Sequence, residues 1–374
     1  MKQPVIAQIA QQLAPGGIET MVLDLQSGAD NPEQVHIISL EGTEASLKEN
    51  WPRLQNIPRL HALNKQPGIQ MSTIHQLADL LRSLKVDVVH THHVGPMLYG
   101  GLAAKLAGCG HVHTEHDAWH LANLKRRILV GTFFHLLRPT VIADARLVSQ
   151  SIQRYIPMFS TEVIMNGIST ERFQPGDQSQ ARHYLGLPTD VPIIGCAARL
   201  TPVKSHDILL SAFARLPGHT HLALAGGGEL ETTLREQAAS LGISDRVHFL
   251  GVVQNMPLFF QAIDVFCLAS QREGLPLSPL EAQSCGRNVV LTDVGGCSEA
   301  TAPDYGLLVP AGDIDSLSTA LQRQLNEGCT DSARLSARTF VKEHGDMKRM
   351  IAQYQRFYRH SIGQQGTSGE GCDA

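Results

Sequence analysis

Val265-Phe266-Cys267-Leu268 leads into Arg272-Glu273-Gly274-Leu275-Pro276-Leu277-Ser278-Pro279-Leu280-Glu281-Ala282. A short apolar run, a Gly/Pro-bearing loop and then a helical pattern is the strand–turn–helix step of a parallel α/β sheet. Two carboxylates eight positions apart fall one on the loop and one in the first turn of the helix. Backbone N–H groups near Gly274, Leu275 and Leu277 then face the strand end, where a phosphate or sugar oxygen binds. Ser278-Pro279-Leu280-Glu281 also has the form of a capping box, with Ser278 at the cap and Glu281 three residues on. Glu281 is therefore open between a cap and a ligand contact, whereas Glu273, beside Gly-Leu-Pro, caps nothing obvious.

The same alternation extends along the chain. In the first half, strand patterns fall at 5–10, 35–39, 87–91, 111–114, 140–143 and 162–165, with helical stretches at 18–27, 73–84 and 96–107. A Pro/Asp/Gly-bearing stretch at 174–192 precedes a second series, with strands at 193–197, 221–225, 246–250, 264–268 and 288–292. Helices are predicted at 206–215, 230–241, 279–285 and 314–326. A chain of 374 residues exceeds one ordinary core. The expected class is α/β, with two Rossmann-like parallel-sheet domains facing across a cleft and ligands at the carboxyl ends of the strands. The expected boundaries are 1–185, 186–343, a terminal helix at 344–362 that packs back on the first domain, and a disordered tail at 363–374.

Three further segments carry chemistry. Arg199 ends a buried strand and Lys204 follows five residues on, just before a helix; two cations beside a helix N-terminus suit a diphosphate. Gly226-Gly227-Gly228 follows Leu222-Ala223-Leu224-Ala225, at a turn where backbone can approach a ligand closely. Pro15-Gly16-Gly17 occupies the first strand-to-helix turn without the GxGxxG spacing of a dinucleotide site, which argues against a nicotinamide oxidoreductase. Asp313-Ile314-Asp315 opens a late helix and reads as a cap rather than a metal site. His90, His92 and His93 are metal-ligating residue types at a strand end, but no carboxylate or cysteine partner is set by the sequence, and no metal is expected.

The bulk numbers narrow the classes. A net charge of −4 gives no reason to expect nucleic acid, which usually calls for a basic face. Seven scattered cysteines without a CxxC pair fit free thiols in a reducing compartment. No apolar run reaches the ~18 residues of a membrane span, and Met1–Leu13 reads as a strand rather than a signal peptide, so a cytoplasmic location is expected. Residues 121–137 combine Lys125-Arg126-Arg127 with Ile128, Leu129, Phe133, Phe134, Leu136 and Leu137. Such a helix either packs on its own domain or lies on an anionic membrane, at its inner face.

In combination these residues resemble the retaining GT-B glycosyltransferases of family 4 over roughly 3–345. The resemblance rests on Arg199 with Lys204, Gly226-Gly227-Gly228, Phe249-Leu250-Gly251, Glu273 with Glu281, Val294-Gly295-Gly296, Gly16-Gly17 and Met165-Asn166-Gly167-Ile168. It implies that Arg199 and Lys204 hold the donor diphosphate without a metal, and that Glu281 bonds the ribose. Glu273 meets the sugar hydroxyls, Leu250 to Met256 border the base, and Gly16 and Gly17 let the donor approach the first domain. His116, in His113-Thr114-Glu115-His116-Asp117, matches the family's histidine near the sugar. The implied reaction is hexose transfer from a nucleotide sugar, UDP-linked by expectation, to a glycan or lipid-linked acceptor in surface polysaccharide or glycolipid assembly. A sugar-nucleotide epimerase or hydrolase, or a non-catalytic sugar-nucleotide binder, are the alternatives.

Overall fold

The computed structural model describes residues 3–303, 305–328 and 330–366, and for 362–366 only the backbone. The chain divides into two units: residues up to 166 together with those from 348 onward, and residues 167–347. In the first unit, β1 (Ile6–Ala10), β2 (Val35–Ser39), β3 (Leu60–Ala62), β4 (Val88–His92), β5 (Gly110–Glu115), β6 (Thr140–Ala143) and β7 (Glu162–Val163) form one parallel sheet in the order β3-β2-β1-β4-β5-β6-β7. In the second, β8 (Ile193–Ala197), β9 (His221–Ala225), β10 (Val247–Gly251), β11 (Val265–Leu268), β12 (Asn288–Thr292) and β13 (Gly306–Val309) form another, β10-β9-β8-β11-β12-β13. Every pairing in it is parallel. In each sheet the chain starts in the middle, at β1 or β8, and reverses its winding there, which leaves a crevice at the carboxyl ends of the central strands.

The central strands are buried because helices cover both faces of a parallel sheet, even where β4 (Val88–His92) and β5 (Gly110–Glu115) carry histidines and threonines. β1 and β2 are buried at every position. β3 and β13 have no counterpart in the sequence pattern. Both are edge strands, of three and four residues: β3 (Leu60-His61-Ala62) offers no apolar run, and the Leu307-Leu308-Val309 run of β13 is short.

The units meet in the chain at 166/167 rather than 185/186. Helix Gln178–Leu185 belongs to the second unit because Arg182, buried there, binds the Ala262 carbonyl through Nε (2.8 Å) and Asp264 Oδ2 through Nη2 (2.7 Å). The chain enters and leaves this unit side by side: Ile168 bridges Asp346 in parallel, and a Cβ on Gly167 would lie 2.6 Å from the Asp346 carbonyl. From 348 onward the last helix, Met347–Gly366, is part of the first unit, where Tyr354 and Tyr358 are buried. Residues 363–366 continue this helix, and the expected tail beyond 366 lies outside the described residues.

Five cysteines, Cys109, Cys196, Cys267, Cys285 and Cys297, are free and buried; Cys329 and Cys372 lie outside the described residues. Among the described residues no helix is long and apolar enough to cross a membrane. Asp313 caps Ile314–Glu327 by accepting from Ser316 N–H at 3.0 Å, and the exposed Asp315 pairs with Arg215.

Candidate active site

In the second unit the chemistry-bearing loops leave the carboxyl ends of β8, β9, β11 and β12. Arg199 is exposed on the loop after β8, and Lys204 closes a short 3₁₀ turn, Pro202–Lys204, just before helix His206–Phe213. The loop after β11 is stitched to it by a bond from Gln271 N–H to the Val203 carbonyl (2.9 Å). That stitch brings Lys204 Nζ to both oxygens of Glu273, at 2.6 and 2.9 Å, and Ser270 Oγ donates to Glu273 Oε1 at 2.5 Å. Ser270 is fixed in turn by its carbonyl, which accepts from Thr292 Oγ1 at 2.6 Å. The pair is mostly shielded, with side-chain exposures of 18% for Lys204 and 9% for Glu273. At such a place a charge-assisted contact is stronger than on an open surface.

Glycines make this assembly possible. Gly295 has φ +53, and a Cβ there would sit 1.8 Å from the Glu273 carbonyl oxygen. Its neighbour Gly296 donates N–H to the Gly274 carbonyl at 2.7 Å. Gly226 has φ +144, and its Cβ would meet the Ala198 carbonyl at 2.1 Å. The triple-glycine turn was expected to admit a ligand. In the structure Gly226 and Gly228 also pack directly on the backbone of the Arg199 loop. Leu250 is the extra residue where the β9–β10 register shifts between Phe249 and Gly251.

Helix Leu277–Ser284 begins with Pro276 at its N-cap and no side-chain cap. Ser278 therefore lies inside the first turn, and the capping-box reading of Ser278 and Glu281 is corrected. Glu281 is partly exposed on the helix, while Leu275 is buried on the loop before it. The uncapped first turn leaves N–H groups and the positive end of the helix dipole available to an anion.

The first unit ends its strands differently. Gly16 caps helix Gly17–Ser27 in extended backbone, after β1. Beyond it, β1, β4, β5 and β6 present a buried chain of hydrogen bonds. Gln8 donates its amide to the Tyr358 hydroxyl (2.9 Å), so its oxygen faces His92 Nε2 (2.9 Å), which must carry a proton. His92 Nδ1 is then an acceptor and takes the Nε2 proton of His116 (3.1 Å). His116 Nδ1 faces Asp144 Oδ2 at 3.2 Å with one proton between them, and Asn166 donates to the same oxygen at 3.0 Å. On the other branch His90 joins the Tyr358 hydroxyl to Thr114, and Thr114 meets the Tyr354 hydroxyl at 3.0 Å.

The structure thus places His116 in the interior with both ring nitrogens engaged. Burial pushes His116 and His93 down to about 4, and His111 and His113 to about 3; it holds His90 and His92 well below the ordinary imidazole value. Burial also lifts Glu115 to about 7. The sequence reading missed Gln8, Asp144 and Ser270. Asp144 carried a usable signal, a carboxylate directly after an apolar strand; Gln8 and Ser270 carried none.

Residues 177–340 match the family model described as glycosyl transferases group 1, and residues 15–172 match glycosyltransferase family 4. A GDP-mannose-dependent monoacylated alpha-(1-6)-phosphatidylinositol monomannoside mannosyltransferase of Corynebacterium glutamicum is 28% identical over 346 residues, 83% of this chain and 86% of its own. A D-inositol 3-phosphate glycosyltransferase of Saccharomonospora viridis is 31% identical over 267 residues, which span 63% of this chain and 61% of that protein. Among solved structures, Anabaena HepE in complex with UDP and glucose superimposes with a TM-score of 0.82 at 20% identity, covering 96% of this chain and 100% of that one. That likeness gives the fold as GT-B. With one family model over each half, the chain belongs to the group 1/family 4 glycosyltransferases.

Proposed function

We propose that the enzyme is a retaining hexosyltransferase that takes its sugar from a nucleoside diphosphate sugar and delivers it to a glycan or lipid-linked acceptor. The observation that carries this reading is the Lys204–Glu273 pair, held at the carboxyl end of the second sheet beside an uncapped helix N-terminus. Lys204 and Arg199 supply two positive charges for the donor diphosphate, so that leaving-group charge is met without a metal at that position. Glu273, pinned by Ser270, offers carboxylate oxygens to sugar hydroxyls, and Glu281 on the next helix is the ribose ligand. In the transfer, the bond between the anomeric carbon and the diphosphate oxygen breaks. The acceptor oxygen bonds to that carbon from the same face, and its proton passes to the departing diphosphate.

Uridine is the expectation from the sequence; the Corynebacterium relative is named for GDP-mannose, and HepE holds UDP and glucose. A thermal-shift screen against UDP, GDP and their sugars, with and without chelator, separates the two. Stabilisation by one nucleotide class, unaffected by chelator and lost in Lys204→Ala, is the expected result. No shift with any nucleotide overturns the reading. Sugar released or epimerised as fast without an acceptor as with one would make the protein a hydrolase or epimerase instead.

The acceptor side of the proposal includes a membrane surface. Helix Leu124–Leu137 buries only Val130 and Phe134, while Leu124, Ile128, Leu129 and Leu136 are exposed beside Lys125 and Arg126. Packing on its own unit therefore uses a narrow stripe of this helix. The remaining apolar and basic surface supports contact with an anionic bilayer.

A further inference from the structure

We propose that His93, at the carboxyl end of β4, binds the acceptor: its imidazole takes a hydrogen bond from a sugar or polyol hydroxyl in the crevice of the first unit. The inference deepens the transferase reading above and rests on it.

The strand-end histidines of this unit differ in what holds them. His90, His92 and His116 have both ring nitrogens in hydrogen bonds. His113 spends Nδ1 on Thr91 Oγ1 at 3.0 Å and turns Nε2 toward Glu115. His111 spends Nε2 on Thr91 Oγ1 at 2.9 Å, and its Nδ1 is shut off from solvent. Among the described residues, neither nitrogen of His93 has a hydrogen-bond partner, and both are open to solvent. The half-buried ring rests edge-on against His116, with 5.5 Å between centroids. Of these imidazoles it is the one a ligand can reach.

The backbone gives an independent reason. His93 has φ +68 and ψ 167, a region that is essentially glycine's own and costly for any residue with a Cβ. Such strain persists only where the surroundings over-determine it, and here they do. His92, one residue before, is tied to Gln8 and His116. Gly95, two residues on, lies so near the loop after β1 that a Cβ there would collide with Gln11 Oε1. The chain passes in one step from β4 into helix Val94–Ala107, whose first bond runs from Met97 N–H to the His93 carbonyl (3.0 Å). Glycine would make this turn without strain, so the imidazole supplies something the turn itself does not need. β1 and β4 are the neighbours between which the winding reverses, which sets the turn on the crevice where such sheets bind ligands.

Partial burial, and then the neighbouring His116, push His93 down to about 4. At pH 7 the ring is therefore neutral, with one nitrogen an acceptor and the other a donor. That suits a hydroxyl, which both gives and takes hydrogen bonds, better than it suits a diphosphate. No proton is transferred to the ring; His93 holds and orients the acceptor.

The test compares wild type, His93→Ala, His93→Gln, His93→Gly and the surface control His75→Gln. The acceptor probes are octyl α-D-mannopyranoside and myo-inositol, with the donor identified by the thermal screen. His93→Ala should lower kcat/KM for the acceptor probe at least about tenfold, chiefly through KM, and leave the donor-induced thermal shift unchanged. His93→Gln should recover part of the loss, because its amide also offers an acceptor and a donor. His93→Gly should transfer as poorly as His93→Ala yet melt at least about 2 °C above it, since the strain is gone. Diethyl pyrocarbonate should modify His93 but not His92 or His116, and the acceptor probe should protect it. An unchanged acceptor KM in His93→Ala, or a His93 that resists the reagent while His75 reacts, overturns the proposal. Loss of the donor shift in His93→Ala overturns it too, by making His93 a donor ligand. A wild type that no nucleotide stabilises fails the transferase reading and this proposal with it, whereas the other outcomes leave that reading standing.

Discussion

The two units share one architecture but furnish their strand ends in opposite ways. The second keeps a charged pair there, Lys204 on Glu273, mostly shielded and braced by Ser270. The first fills the equivalent strand ends with neutral imidazoles, hydroxyls and an amide joined into a closed hydrogen-bond chain. Held charge at a water-accessible edge is suited to bind and neutralise other charge. A buried neutral network is suited to fix geometry, because every proton in it is committed to a neighbour.

The largest effect should come from breaking the charged pair. Lys204→Ala or Glu273→Ala is expected to lower kcat/KM at least about 100-fold in a folded protein, the usual worth of one placed electrostatic contact in a transition state. Steady-state kinetics with the donor found by the thermal screen gives the answer. Near-normal rates in either variant would remove the pair from the site.

Acid should next separate the two units. His90, His92, His93, His111, His113 and His116 all have folded values below the ordinary 6.5, whereas in the second unit only His206 is pushed as low, to about 4. The unfolded chain therefore binds more protons between the two values, and stability falls as pH drops from about 6.5 toward about 4. Each such group contributes up to about 1.4 kcal/mol per pH unit. Hydrogen exchange at pH 7 and pH 5 should show the first unit losing protection well before the second. Parallel loss in both would mean that the imidazole chain is hydrated and titrates freely.

A smaller effect tests how the charged pair is positioned. Gly295→Ala places a methyl into the Glu273 carbonyl and should cost more than about 1 kcal/mol while also lowering turnover. Gly68→Ala in the first unit shares a positive φ but has nothing within 4 Å, so it carries strain without collision. Chemical denaturation and kinetics of both variants separate the two contributions. Equal costs would deny the close approach its role.

The smallest expected change concerns the basic helix of the first unit. Lys125→Gln or Arg126→Gln should each weaken co-sedimentation with phosphatidylserine-containing vesicles about fivefold, following ~1 kcal/mol per basic residue near an anionic surface. Neutral vesicles should show no difference. Wild type that fails to bind either vesicle would return this helix to a solvent-facing role.

What was legible in the sequence was local. A buried parallel strand reads as an apolar run because helices cover both its faces, so β1, β2, β8, β11 and β12 announce themselves; so do Arg199, Lys204 and Glu273 on the loops that follow such strands. Asp313 as a helix cap is equally local, since its partner, Ser316, is three residues away. The tertiary structure decided everything that depends on a distant neighbour. It moved helix Gln178–Leu185 into the second unit through Arg182 and Asp264, and took the cap away from Ser278 by starting the helix at Leu277. It also set Gly226 against the Ala198 carbonyl, a close approach that no spacing in the sequence reports. Both nitrogens of His116 were committed in the same way, by residues 24 and 28 positions away. Hydrogen bonds are short and directional, so a side chain's role follows from what folding places within about 3 Å of it. Sequence spacing reports that only when the partner lies on the same turn, strand or loop.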